Sequence, residues 1–321
     1  FFAGTSAFLY GYKINDKKKL ASYLITRGLL LVILELTLIR FFWTFNFNYS
    51  EFLLAGVIWM LGWCMVLLSA FMWMKPAVVG IIGLAIIFFQ EVFGLVPNIL
   101  PEGIRAGFGS IWEFIYPSDL EGVAGVSILY VIVPWIGVMA AGYGFGSLLM
   151  LEPAKRNRIC LWIGLSSIIA FLGVGTAFIL KAPAGEERAP FIFELLAQRK
   201  YPASQLFLLM TLGPVIALVP FAEKVRGWLS EVLVIFGKVP MFYYLFHILI
   251  IHISALILNI IRMGSTHQEW YVSAPFAQVP EEGRWGLSLL YLVFLIDVIL
   301  LYFLCRWYAK YKFAHPEKKW L

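Results

Sequence analysis

The run Phe52–Met74 holds twenty-three residues without one charged side chain, long enough for a helix to cross a bilayer. It is one of several such runs. Only Glu35, Thr37 and Arg40 interrupt Leu29–Phe42. With 61% hydrophobic and 14% charged residues in a 321-residue chain, against roughly 25% charge in soluble domains, this composition cannot be hidden inside a water-soluble globule. The sequence therefore predicts an all-α, polytopic transmembrane helical bundle that forms a single domain over 1–321. Helices are the economical element because backbone at membrane depth must satisfy its own hydrogen bonds.

Eight spans are expected, at 21–42, 52–74, 77–96, 126–149, 159–180, 203–221, 239–262 and 286–306. An uncharged opening, Phe1–Tyr12, precedes them. It is too short to cross about 30 Å of hydrocarbon at 1.5 Å per residue. It also has no charged n-region, so it reads as the remnant of a membrane helix whose first part, and any earlier span, lies upstream. The alternation of loops separates sixteen Lys and Arg on one side from seven on the other. The rich set includes Lys13 to Lys19, Lys155 to Arg158 and Arg306 to Lys319, and the positive-inside rule makes that side, with the C-terminus, cytoplasmic. The net charge of +6 then reflects loops facing anionic lipid rather than a nucleic-acid partner. Three outer segments, 97–125, 181–202 and 263–285, are long and rich in Pro, Gly and aromatics. Cys64, Cys160 and Cys305 lie far apart in apolar runs, which gives neither a disulfide framework nor a zinc site.

Ionisable groups inside spans cost a few kcal/mol and are the natural site candidates. His247 and His252, in FYYLFHILIIHI, are five residues apart, about 140° around a helix, so they cannot clamp one ion together. Each reads either as a partner for a neighbouring helix or as a general base. Arg27, Glu35 and Arg40 share one span. An inter-helix ion pair is one reading for Arg27 and Glu35, a phosphate partner for Arg27 the other; Arg40, at the outer end, is expected to snorkel. Asp297, mid-span, reads as a carboxyl holding two helices together or as a proton relay or orienter for a histidine. Pro134 is expected to bend the span 126–149, and the GxxxG of Gly142 and Gly146 to bring helices close. RKYPAS, Arg199–Ser204, reads as an interfacial anchor or as the rim of a polar substrate site.

FFAGTSAFLYG with its Lys-rich turn, LITRGLLLVILELTLIRFFWTFN, PWIGVMAAGYGFG, RKYPASQLFLLMTLGP and FGKVPMFYYLFHILIIH follow one another along nearly the whole chain. Together they resemble the bacterial membrane proteins grouped with heparan-alpha-glucosaminide N-acetyltransferase. That resemblance implies a transmembrane acyltransferase of the bacterial inner membrane. It would take an acetyl or other acyl group from acyl-CoA, without a metal, and deliver it to an amine or hydroxyl of a glycan. The family's candidate catalytic histidine falls near its first span, upstream of Phe1, and Trp59–Met60 stands where the eukaryotic branch carries Gln-Arg. Under this reading His247 is the expected base, with Asp297 or Glu35 as orienters and His252 as a second imidazole. Arg27, Lys155, Arg156 and Lys238 are the expected contacts of the CoA phosphates. A non-catalytic subunit of a larger membrane complex or a homo-oligomer, and a transporter, are the competing functions.

Overall fold

A computed structural model describes residues 1–117, 123–181, 189–273, 278–315 and 317–318. Arg188 and Lys319, both among the loop cations, and parts of the three long outer segments lie outside them. Of the described residues, 74% are helical. In order it runs α1 (Phe2–Ile14), α2 (Lys17–Leu34), a π-helical stretch at Glu35–Ile39, α3 (Arg40–Thr44), strand β1 (Leu53–Ala55), α4 (Val57–Ser69), α5 (Pro76–Phe88), α6 (Gln90–Ile99) and α7 (Glu102–Trp112). Strand β2 (Val126–Ile128) follows, then α8 (Trp135–Leu148), α9 (Pro153–Lys181), α10 (Phe191–Leu196), α11 (Gln205–Ala222), α12 (Trp228–Lys238), α13 (Pro240–Met263) and α14 (Leu287–Ala314). Short 3₁₀ turns at Gln268–Tyr271 and Glu281–Gly283 lie between the last two helices.

Among the described residues four helices, α9, α11, α13 and α14, are long and apolar enough to cross a membrane; the pair α5 and α6, bent by 66°, makes a fifth if counted as one broken span. These helices mark the chain as a membrane protein. The other expected spans take different forms. The run 52–74 is not one helix: Leu53–Ala55 is extended and α4 has 13 residues, about 20 Å of rise. The run 77–96 breaks at Phe89. The run 126–149 opens as a strand, and Pro134 does not bend a helix but precedes the first residue of α8, where its missing N–H costs nothing. The run 21–42 continues through α2, the π-helical stretch and α3.

The chain divides into two compact units, Phe1–Glu35 with Ala55–Lys224, and Leu36–Leu54 with Val225–Leu321. In the first, small residues let helices touch at the backbone, the usual solution where no hydrophobic force drives helices together in lipid. Gly28 of α2 faces Gly62 of α4 so closely that a Cβ on either would lie 2.5 Å from the other's carbonyl oxygen. Gly142 of α8 meets the Phe1 carbonyl, and Thr5 Oγ1 donates to Gly142 O at 2.9 Å, so the GxxxG serves close packing. Non-helical backbone is satisfied inside the protein: the Ala55 carbonyl accepts the N–H of both Leu129 and Tyr130 at 3.1 Å. Helix ends follow local chemistry. Asp16 caps α2 through the Lys19 N–H at 3.0 Å, which holds its carboxyl below the usual carboxylate range. Ser204 caps α11 through the Phe207 N–H at 3.1 Å. In the second unit Val239, Cys305 and Ala309 form a small core, with Phe242 stacked on Tyr308 at 4.1 Å.

Candidate functional site

His247 sits in the second turn of α13. Its Nδ1 lies against the Tyr244 carbonyl one turn back, and its ring stacks parallel to Tyr243 at 5.5 Å. A carbonyl only accepts, so Nδ1 carries the proton and the lone pair of the neutral ring is on Nε2. The residue is half-buried. Lys238, the last residue of α12, lies at the same end of α13, roughly 10 Å of helix rise from His247, with its ammonium 5.4 Å from the Phe313 ring centre.

His252 is built differently. It is fully buried, its Nδ1 donates to the Phe42 carbonyl at 2.8 Å, and its ring lies on Phe45 with centroids 3.9 Å apart. Around it in the second unit is a polar core that the sequence did not single out. Asn259 Nδ2 donates to the Thr266 carbonyl and to the Tyr271 hydroxyl, both at 2.9 Å, and Gln268 Nε2 donates to the Thr44 carbonyl at 2.8 Å. Tyr271 lies 5.1 Å from the His252 ring. Asp297, on α14, accepts the Ser254 hydroxyl of α13 at 2.8 Å. Its partner is therefore a hydroxyl and neither histidine.

Arg40 overturns the expectation that it snorkels. It is 1% exposed. Its Nε donates to Phe52 O at 2.9 Å, Nη1 to Thr44 Oγ1 at 3.0 Å, to Asn46 Oδ1 at 2.8 Å and to the Asn46 carbonyl, and Nη2 to the Asn48 carbonyl. The Tyr49 ring covers the guanidinium at 4.6 Å. Carbonyl and hydroxyl oxygens and a π-face hold this cation directly, and the Glu51 carboxylate adds a longer-range attraction.

Glu35, in the first unit, is also paired otherwise than expected. Instead of a cation it holds backbone: Oε2 accepts the N–H of Ile58 at 2.9 Å and of Trp59 at 3.2 Å, while Oε1 is buried without a hydrogen bond. It caps the first turn of α4, where unpaired N–H groups and the helix dipole favour an anion. Arg27 lies over the Tyr23 ring at 5.7 Å. Arg156 Nη2 is 2.5 Å from the Glu223 carboxylate, so a CoA phosphate there would have to displace a partner already in place. Lys155, beside it in the first turn of α9, is exposed. Thus His247 and Lys238 share one end of the second unit, His252 and Asp297 lie along the same unit without bonding each other, and Glu35, Arg27, Lys155 and Arg156 belong to the first.

RKYPAS forms two clusters in the first unit. Arg199 pairs with Glu91 at 3.0 Å, and the Tyr116 hydroxyl donates to Glu91 at 2.9 Å. Burial, with the Glu91 carboxylate, pushes the Tyr116 phenol up to about 12. Lys200 lies 5.7 and 5.1 Å from the rings of Tyr130 and Tyr201, which meet edge to face at 5.1 Å. Among the described residues no group of three His, Cys, Asp or Glu side chains is placed to hold a metal ion. In comparisons with known proteins, no family model, no curated protein and no solved structure matches this chain.

Proposed function

We propose that the chain is an integral-membrane acyltransferase, similar to the heparan-alpha-glucosaminide N-acetyltransferase group, moving an acetyl or other acyl group from acyl-CoA to an amine or hydroxyl of a glycan. The observation that carries the reading is the fixed tautomer of His247. Nδ1–H is spent on Tyr244, which leaves a basic Nε2 on a half-buried ring. In the reaction the acceptor's nitrogen or oxygen attacks the thioester carbonyl carbon as Nε2 takes its proton; the carbon–sulfur bond breaks, and the departing thiolate leaves as the CoA thiol after receiving a proton. His252, fully buried, bonded through Nδ1 to the Phe42 carbonyl and stacked on Phe45, suits a structural role better.

The reading places eight membrane crossings in a bacterial inner membrane with the C-terminus in the cytoplasm. It is supported by the sixteen-to-seven division of loop cations. The short α4 and α8 then cross with the aid of the extended backbone before each of them. Lys238, in the same unit as His247 and on the cation-rich side, is the phosphate contact this arrangement favours. The test is release of free CoA thiol from acetyl-CoA by the purified protein in lipid nanodiscs, with glucosamine as acceptor. Turnover by the natural sequence and a loss of about 10²- to 10⁴-fold in His247→Ala support the proposal. Absence of both CoA binding and thiol release sinks it.

One observation favours a second reading, a non-catalytic subunit of a larger membrane complex. Helix α12 buries none of its residues, and Trp228, Leu229 and Leu233 are each more than half exposed. A partner that copurifies in fixed ratio, and whose own function survives His247→Ala, would choose this reading over catalysis.

A further inference from the structure

Helix α12 is too short to cross a membrane: its 11 residues rise about 16 Å, against roughly 30 Å of hydrocarbon. Charge holds both of its ends at water. Glu223, Lys224 and Arg226 precede it, and Lys238, its last residue, is separated by Val239 alone from the start of the span α13. The Lys238 ammonium lies over the Phe313 ring, at the end of α14 that carries Lys310 and Lys312. A helix tied to the water boundary at both ends runs along it.

At about 100° per residue the sides of α12 separate. Ile235 and Phe236 pack on the core of Val239, Cys305 and Ala309, with the Phe236 ring 5.3 Å from Tyr243 and 6.2 Å from Tyr302. This side faces α13 and α14. Leu229 and Leu233 lie about 90° from it in one direction, and Glu231 and Lys238 about 100° in the other. The leucines and the charges thus stand nearly opposite each other, and all four residues are exposed. Trp228, 75% exposed, opens the helix just after Arg226 and Gly227. In water this helix would leave Trp228, Leu229 and Leu233 hydrated together; inside hydrocarbon it would bury Glu231 and Lys238. At a lipid–water boundary it does neither, and an aromatic ring beside a cation is the usual anchor there. We infer that α12 lies in the plane of the membrane surface and binds phospholipid through it. Leu229 and Leu233 enter the acyl region, Glu231 and Lys238 face water, and the cations before Trp228, Lys224 and Arg226, meet headgroup phosphates. Lipid then covers the face that the subunit reading gives to a protein partner, and the inference does not depend on acyl transfer at His247.

The experiment uses the full chain in vesicles of phosphatidylethanolamine and phosphatidylglycerol. One cysteine is introduced at a time, by Leu229→Cys, Leu233→Cys or Glu231→Cys, and carries a nitroxide. Cys64, Cys160 and Cys305 are buried, which keeps the label to the introduced thiol. Power saturation compares collisions with oxygen, which concentrates in the acyl region, and with a water-soluble nickel chelate. The expected result is an excess of oxygen collisions at positions 229 and 233 and an excess of nickel collisions at position 231. The two leucine positions report separately, so one variant that fails to fold leaves the other to decide. Nickel excess at position 229 or 233 puts that side of α12 in water and overturns the proposal. So does shielding of either position from both reagents, which assigns the face to a protein partner or a second copy of this chain. Oxygen excess at position 231 overturns it as well, because the whole helix then lies inside hydrocarbon.

Discussion

Glu35 closes the start of another helix: its Oε2 accepts the backbone N–H of Ile58 at 2.9 Å, in the first turn of α4. An acidic side chain in an apolar segment thereby does the work that Ser, Thr, Asp or Asn does when a helix caps itself, and Gly56, the local cap residue, has no side chain to offer. Removing the carboxyl leaves two buried donors unpaired. Glu35→Ala should therefore destabilise the protein by about 2 kcal/mol, while Glu35→Gln, which keeps a carbonyl acceptor, should cost less than half of that. Thermal unfolding in detergent reads both. If Glu35 instead serves as an ionised orienter in catalysis, the Gln variant will keep its melting temperature and lose turnover.

The two histidines of α13 should separate in their effects. His252→Ala removes a hydrogen bond to Phe42 and a ring stacked on Phe45, leaving a cavity in a buried polar core. A loss of about 2–3 kcal/mol follows, and any effect on activity should track the unfolded fraction. His247→Ala removes a half-buried ring bonded within its own helix, so its melting temperature should stay within a few degrees of the natural protein's. The ordering of the two melting temperatures is the measurement, and the reverse order contradicts a structural His252 and a catalytic His247.

Arg40→Lys should behave as a severe substitution despite the retained charge. The guanidinium spreads its donors over Phe52, Thr44, Asn46 and Asn48 at once, and Tyr49 stacks on its plane. An ammonium can make three of these bonds at most and has no plane to stack. The cost should be about 2–3 kcal/mol, and the loop 46–52 should become the first point of cleavage in limited proteolysis.

The close crossing of α2 and α4 can be tested by adding a single methyl. A Cβ at Gly28 would stand 2.5 Å from the Gly62 carbonyl and 2.8 Å from the Val66 side chain. Backbone cannot yield there without separating the helices, so Gly28→Ala should destabilise by about 1–3 kcal/mol. At Gly173 nothing lies within 4 Å of an added Cβ, so Gly173→Ala in the same assay should be neutral or slightly stabilising through helix propensity.

How far the sequence could be read depended on whether a feature is local. The helices α9, α11, α13 and α14 follow from long, predominantly apolar runs, and the ends of α9 and α14 extend past the apolar part where Lys155, Arg156 and Arg158, or Lys310 and Lys312, continue the helix at the water boundary. The break at Phe89 has no such signature, because the groups that receive the freed carbonyls of Ile87 and Phe88 come from Gln205, more than a hundred residues away. An apolar run such as 52–74 reads the same whether it forms one helix or a strand followed by a shorter helix; Gly56 marks the junction, but Gly62, inside α4, looks no different in the sequence. Glu35, Asp297, His247 and His252 stand out as costly groups in apolar segments, but the partners of Glu35 and the two histidines do not, since backbone N–H and C=O are the same at every position; that of Asp297 is one serine hydroxyl on another helix. Arg40 escapes the reading for the same reason: most of its acceptors are backbone carbonyls, which no sequence pattern marks.

Tyr116 gives a pH dependence whose sign is fixed by its surroundings. Burial first, and the neighbouring Glu91 carboxylate second, raise its phenol from 10 to about 12. The folded protein thus holds this proton more tightly than the unfolded chain does. Its contribution to stability is complete below pH 10, is lost progressively as the pH rises from 10 towards 12, and changes no further beyond. Ultraviolet titration of phenolate should show an ionisation about two pH units later than that of an exposed phenol, present in the natural protein and missing from Tyr116→Phe. Between pH 10 and 12 the melting temperature of the natural protein should fall more steeply than that of Tyr116→Phe. Below pH 9 the two curves should run parallel, because there the phenol is protonated in both states and the variant differs only by the lost bond to Glu91.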